Sequence, residues 1–526
     1  MITQLAEVDC LKTGLLPQLI QDYLLQKPEL SRFYKYPFIL EAFGQAIADK
    51  TKDATDRELL VNVLKKQYAG IVTTEAVWNN IESLLSAKTF TVTASHQPSL
   101  FLGPLFNIYK IAGAIALSKQ LKQAYPDYHF VPVFWLGSED HDIEELNHTW
   151  INGQKLEWEN AGTGAVGRLN TETLAPLVEQ LKGLPVSADL VSIIETGLKQ
   201  CNTFGKLTQY LTNEIFKEQG LLVLDQDDVQ LKQRFAPVME DEILHATGVS
   251  VLKDNISQLE QNYKAQAHPR EINFFYLGEG YRERIVYNGE AEKFEVLNTG
   301  LSFTANEIQQ AIKDNPAQFS PNVIFRPLYQ EMILPNLAFI GGAGELSYWL
   351  ELKPLFEHYK INYPIQVLRG SVCILLGSTV KKLEKLGLGY TDLFNDVEQV
   401  ITRYIKGSLP AEVQLNGEKT AIEKVFDALA EKAAAADATL AQNVAAEKRK
   451  AISSIENIEG KMLKAEKRKQ ETAVNQIRAV HAVTFPEGNL QERTENFMAY
   501  YTPEFISEIV ALLNPFTPSF HFVQNA

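Results

Sequence analysis

The chain has 526 residues, 45% of them hydrophobic, and carries 65 acidic against 50 basic side chains, a formal charge of −15 at pH 7. That length buries a sizeable core and points to more than one domain. The acidic balance argues against nucleic acid or an anionic membrane surface as the main partner.

The opening stretch MITQLAEVDCLKTGLL has neither the basic flank nor the apolar centre of a secretion signal. No apolar run approaches the ~18 residues of a membrane span. Cys10, Cys201 and Cys373 are far apart and form no CxxC pair, so a reducing cytoplasm is the expected location. Residues 1–85 read as helices and loops, because RELLVNVLKKQYAGI and EAVWNNIESLL place apolar residues at helical spacing. The pattern then changes. FTVTA (90–94), FVPVFWLG (130–137), GLLVLD (220–225), NVIFRPL (322–328), NLAFIGG (336–342) and PIQVLRG (364–370) are short apolar runs, several leading into amphipathic helices. Apolar runs without alternation, separated by helices, predict an α/β fold with a parallel sheet covered on both faces. Stretches 145–215 and 240–320 read as insertions, and RERIVYNGEAEKFEVLNTG alternates like a small antiparallel piece. From about 376 to 483 the chain is rich in Ala, Glu and Lys. Ile422, Val425, Phe426, Leu429 and Ala433 form one apolar stripe, and Val444, Ala451, Ile455, Ile458, Met462 and Ala465 another. This predicts an antiparallel helical hairpin or coiled coil, its Lys448–Lys450 and Lys467–Lys469 clusters on a solvated face. Residues 484–526 return to a core-docking composition.

Four stretches carry residue types suited to chemistry. GSEDHD (137–142) follows a strand, so Glu139, Asp140, His141 and Asp142 would lie on the rim where doubly wound sheets bind ligands. A histidine among carboxylates can transfer protons or hold a divalent cation; the same acids can simply start a helix capped by Ser138. No HxH or HExxH spacing supports zinc. TASHQPSLFLGPLFNIYK (93–110) runs from a strand end to a helix, whose N-terminus would attract phosphate or carboxylate beside His96, Gln97, Asn107 and Lys110. It reads equally as an ordinary strand–turn–helix. FIGGAGELSYW (339–349) offers Gly341, Gly342 and Glu345 at a turn, matching no phosphate-loop or dinucleotide fingerprint. Upstream, Arg326 and Gln330 can bind a carboxylate or serve as paired structural groups. LDQDD (224–228) mimics a metal-binding DxD or caps the next helix.

Taken in order, SHQPSLFLGPLFNIYK, VPVFWLGSEDHDIEELN, GLLVLDQDDVQLKQRFAPV, NVIFRPLYQEMILPNLAFIGGAGELSYWLELKPLF and GNLQERTENF resemble blocks of the bacillithiol biosynthesis cysteine-adding enzyme family. The likeness runs along essentially the whole chain. It departs from the family pattern at His96, where Gln is usual, at Leu102, where Thr is common, and at Ala343, where Pro is usual.

The resemblance implies a Rossmann-like core (1–375) with connecting insertions, a long α-helical coiled coil (376–483) that mediates homodimerisation, and a C-terminal segment (484–526) packing back on the core. It also implies a ligase that joins L-cysteine to the amine of glucosaminyl-malate, and ADP held between core and coiled coil. On this reading Gln97, Asn107 and Lys110 position anionic groups in a site that includes His96, Glu139, Gly341, Gly342 and Glu345. Asp140, His141 and Asp142 bind an ammonium and shuttle protons, and Arg326 grips malate. Asn489, Gln491 and Arg493 form a second site for ATP or ADP, and no metal is assigned. Two alternatives stand beside it: an adenylylating transferase of other amino-acid specificity, and a coiled-coil interaction protein with a degenerate enzyme core.

Overall fold

The computed structural model describes residues 2–409, 415–437 and 439–525. The chain forms two compact units, Met1–Ile374 with Asn489–Ala526, and Leu375–Gly488. Among the described residues no helix is long and apolar enough to cross a membrane.

At the centre of the first unit is a five-stranded parallel sheet. Its strands lie in the order Ile365–Leu368, Asn336–Gly341, Thr89–His96, His129–Leu136, Leu222–Asp225. Numbered along the chain this is 5-4-1-2-3, the doubly wound, Rossmann-like arrangement, and the order reverses between Thr89–His96 and Asn336–Gly341. The strands read as unbroken apolar runs because each face buries its own cluster. Val133 and Trp135 join Leu222 and Leu224 in one. Phe134 and Leu136 join Val223, together with Ile108, Ile111 and Ile115 of the Leu105–Ala124 helix, in the other.

Two stretches differ from their expected form. NVIFRPL is not a strand. Asn322 accepts from the amides of Ile324 (2.9 Å) and Phe325 (3.4 Å), and the Arg326–Ile333 helix follows with Pro327 in its first turn. Proline costs nothing there, since that amide has no partner within the helix. Within residues 1–85, Ile2–Asp9 is a strand. It pairs antiparallel with Ser519–Asn525, Asp9 opposite Ser519; its partner at the far end of the chain left no local signal.

The interval after His129–Leu136 holds the hairpin His148–Ile151/Gln154–Glu157 and a group of helices. The last of these, Phe204–Phe216, packs Leu207 and Leu211 into the cluster containing Phe134 and Val223, as a crossover helix does. The interval after Leu222–Asp225 holds an antiparallel sheet in which Tyr281–Asn288 pairs with Lys293–Val296 and Phe274–Gly278 with both Tyr281–Asn288 and Phe319–Pro321.

The second unit is helical. Leu386, Val400, Ile401, Ile405, Val474 and Ile477 form its buried cluster. The long helices Asn416–Ala436 and Leu440–Lys469 pair through Lys419–Glu459 and Lys448–Asp427, both 2.7 Å. Partner numbers fall on one helix as they rise on the other, so the pair is antiparallel. Of the stripe residues, Val425, Leu429, Ile458 and Ala465 are exposed. Residues 410–414 and 438 of the stretch read as coiled coil lie outside the described residues.

Candidate functional site

Where the strand order reverses, the carboxyl ends of Thr89–His96 and Asn336–Gly341 part around a cavity of about 660 Å³. Ser95, His96 and Gln97 come from one strand end, Gly342, Glu345 and Tyr348 from beyond the other, and Phe275, Arg282 and Asn322 from around the antiparallel sheet. Five arginines (Arg270, Arg282, Arg326, Arg369, Arg493) line it against three carboxylates (Asp140, Glu145, Glu345). Such a wall attracts anions.

The acidic stretch after His129–Leu136 divides its residues. Asp140 lines the cavity. Its Oδ2 accepts from Gln97 Nε2 at 2.8 Å, its Oδ1 accepts from the His141 amide at 2.7 Å, and Arg282 Nη1 lies 3.6 Å away. Burial opposes its charge, but the hydrogen bonds from His141 and Gln97 and the Arg282 guanidinium hold the carboxyl far below the usual range. Asp140 is therefore an acceptor for cationic or N–H groups, and a weak base. Glu139 turns the other way. It is fully buried, pairs with Lys232 and accepts from Gln226 Nε2 at 2.8 Å. The expectation that it touches substrate is corrected, since its carboxylate is spent inside the core. The His141 side chain is 44% exposed and lies beside the cavity, Nδ1 3.1 Å from Arg282 Nη1 and the ring 5.6 Å from Phe275. Asp142 is exposed and precedes the short helix Ile143–Leu146. Ser138 is not its cap; the Ser138 hydroxyl donates to Asp225.

The strand–loop–helix segment is wired differently from the expected anion cradle. The amide of Leu105 donates to Glu495 O at 2.8 Å. Asn107 Nδ2 folds back on Gly103 O (2.9 Å) and Ser99 Oγ (3.2 Å), so Asn107 holds the loop and does not line the cavity. Positive charge comes from the arginines instead. Gly103 is required by crowding: a Cβ there would strike Thr149 and Asn496. Asn496 Nδ2 donates to Phe101 O (3.1 Å) and Thr149 Oγ1 (3.0 Å), tying the loop down. Lys110, fully buried, donates to Ser95 O and pairs with Glu345 at 2.8 Å. Burial opposes the Glu345 charge, yet Lys110 and the Gly342 amide (2.9 Å) hold that carboxyl below its ordinary value. Lys110 thus acts on the cavity through Glu345.

Arg326 donates to Ser95 Oγ (3.0 Å), Gln330 Oε1 (3.3 Å) and Tyr348 Oη (3.2 Å). All three are uncharged, so the guanidinium carries an uncompensated charge into the cavity. Arg369 is paired with Glu492 at 2.6 Å. Arg493 stands exposed on the cavity wall, where burial and the neighbouring Arg369 pull its pKa down. Gly342 lines the cavity; Gly341 lies buried in the strand before it. The three residues expected to hold ATP or ADP are placed separately in the first unit. Gln491 spends its amide on the Ile374 backbone (2.7 and 2.9 Å), Asn489 is exposed away from the cavity, and Arg493 belongs to the cavity already described. Arg270, Arg282, Arg369, Glu145 and Tyr348 escaped the sequence reading. Arg369 had a usable signal, because it directly follows a parallel strand; Arg282 sits in an alternating strand that gave none. Among the described residues no group of three or more His, Cys, Asp or Glu side chains is arranged to hold a metal ion.

Two family models match. Residues 5–370 match the one described as "Bacillithiol biosynthesis BshC, N-terminal Rossmann-like domain". Residues 372–524 match "Bacillithiol biosynthesis BshC, C-terminal coiled-coil domain". Relatives named "Putative cysteine ligase BshC" include one from Flavobacterium psychrophilum, 38% identical over 531 residues, covering 98% of this chain and 99% of the relative. One from Flavobacterium johnsoniae is 38% identical over 519 residues (97% and 98%), and one from Cytophaga hutchinsonii 36% over 506 (95% of each).

Proposed function

The chain belongs to the bacillithiol biosynthesis BshC family, and from that premise we propose that it is a ligase forming a carbon–nitrogen bond between the carboxyl of L-cysteine and the amine of glucosaminyl-malate. The observation that carries this reading is the Arg326 guanidinium, bonded only to uncharged partners in the wall of a cavity at the sheet's switch point. A half-buried cation paired with no carboxylate is matched by an anionic ligand, and the planar fork of arginine suits the carboxylates of a malate group.

Amide formation in water requires the carboxyl oxygen to be made a leaving group. The N–C bond forms, the C–O bond to the activating group breaks so that this group departs with the carboxyl oxygen, and the amine releases one proton to solvent. ATP fits this need and fits the cationic wall, where Arg369 and Arg493 would face its phosphates; when bound it supplies the activating phosphoryl or adenylyl group. Asp140, kept ionised and tied to Gln97 at the Thr89–His96 strand end, holds the ammonium of L-cysteine. Phe106 and Phe275 on the same wall limit water around the reacting groups.

We further propose a cytoplasmic homodimer joined through the Asn416–Ala436/Leu440–Lys469 pair, a reading supported by the exposed Val425, Leu429 and Ile458. Thiol profiling of a strain lacking the protein tests the reaction: bacillithiol should vanish and glucosaminyl-malate accumulate. An unchanged thiol pool would discard the reading.

A further inference from the structure

Most acceptors on the cavity wall are already engaged. Asp140 receives Gln97 and the His141 amide, and Glu345 receives Lys110 and the Gly342 amide. The Ser95 and Tyr348 hydroxyls receive Arg326. The imidazole of His96 differs. Its Nδ1 lies 3.0 Å from Gln97 O. A carbonyl only accepts, so Nδ1 carries the ring proton and Nε2 keeps a lone pair. The ring is half-buried, set edge-on to Phe106 at 5.3 Å. The charged groups facing it are Lys110, Glu345 and Asp140. Burial first, then the Lys110 ammonium, pulls its pKa down to about 4, so it stays uncharged at physiological pH.

We infer that His96 Nε2 accepts an N–H of the substrate's primary amine and holds that amine in its uncharged, nucleophilic form. The inference rests on the function proposed above and assigns the amine its place in the same cavity. An amine attacks an acyl carbon through its own lone pair, which an ammonium lacks. A carboxylate acceptor stabilises the ammonium and raises its pKa; an uncharged imidazole does not, and the arginines around it disfavour a further cation. The Lys110–Glu345 pair thereby gains a second role, because the buried ammonium beside His96 keeps the ring from becoming a donor that would occupy the amine's lone pair.

The test combines nitrogen-15 NMR of the histidine-labelled full chain with calorimetric binding of two probes, glucosaminyl-malate and 2-deoxyglucosyl-malate, the latter with a hydrogen in place of the amine. The ligand-free protein should show His96 protonated on Nδ1 and neutral down to pH 5.5, and its Nε2 resonance should move only with the amine probe. His96→Leu should weaken glucosaminyl-malate about tenfold or more while leaving 2-deoxyglucosyl-malate unchanged, and His96→Gln, an uncharged acceptor, should recover most of that loss. A proton on Nε2, or equal loss for both probes, overturns the role of His96 and leaves the proposed reaction standing. Binding of neither probe to the unaltered protein overturns both.

Discussion

At the scale of single residues, charge balance decides most outcomes. Arg326 reaches the cavity unneutralised, so Arg326→Met should raise the KM for glucosaminyl-malate by about 10- to 100-fold, the worth of a charge-assisted contact, with no loss of thermal stability; steady-state kinetics and a melting curve check both halves. Lys232 is the opposite case. It neutralises Glu139 inside the core, and Lys232→Met leaves that carboxylate buried and unpaired, a change costing about 3–5 kcal/mol. A urea midpoint equal to the parent's would contradict the pairing. Burial and the neighbouring Asp227 push the Asp225 carboxyl up to about 7, against ~3.9 for the unfolded chain. Its contribution to stability is therefore complete below about pH 4 and is lost as pH rises through about 7. Asp225→Asn removes the titration, so the variant should gain on the parent between pH 4 and 8. A difference that does not change with pH would count against the raised value.

At the scale of elements, the site depends on a loop that carries few of its contacts itself. The Leu100–Leu102 turn and Gly103 are pinned by Asn496, from a segment almost four hundred residues away in sequence. Asn496→Ala leaves the buried Phe101 carbonyl without that donor, and about 1–3 kcal/mol of stability should be lost. A thermal shift within experimental error would show the tie to be unimportant. The same long reach explains what the sequence displayed and what it concealed. Strands buried on both faces announce themselves as unbroken apolar runs, and FTVTA, FVPVFWLG, GLLVLD, NLAFIGG and PIQVLRG were legible for that reason. Ile2–Asp9 was not, because its partner is the last strand of the chain. NVIFRPL misled because the turn closed by the Asn322 side chain on the Ile324 and Phe325 amides outweighs its β-branched composition. In the site, Glu139 and Asp140 are adjacent and chemically alike, yet one points into the core and the other into the cavity. Beyond a strand end that choice is made by Lys232, Gln97 and Arg282, each from a different part of the chain.

At the scale of the molecule, the proposed chemistry falls to the unit that holds the parallel sheet and the proposed assembly to the helical unit. Those assignments separate experimentally: substitutions at Val425, Leu429 and Ile458 should alter the oligomeric state measured by sedimentation without removing the Arg326 contact. We propose that cysteine is joined to glucosaminyl-malate in the arginine-lined cavity at the switch point. The most direct measurement is complementation of a strain lacking the protein with the parent chain, Asp140→Asn and Arg326→Met at matched abundance, reading bacillithiol and glucosaminyl-malate by mass spectrometry. The parent should restore bacillithiol, while both variants leave glucosaminyl-malate accumulated; restoration by the variants equal to that by the parent would contradict the account.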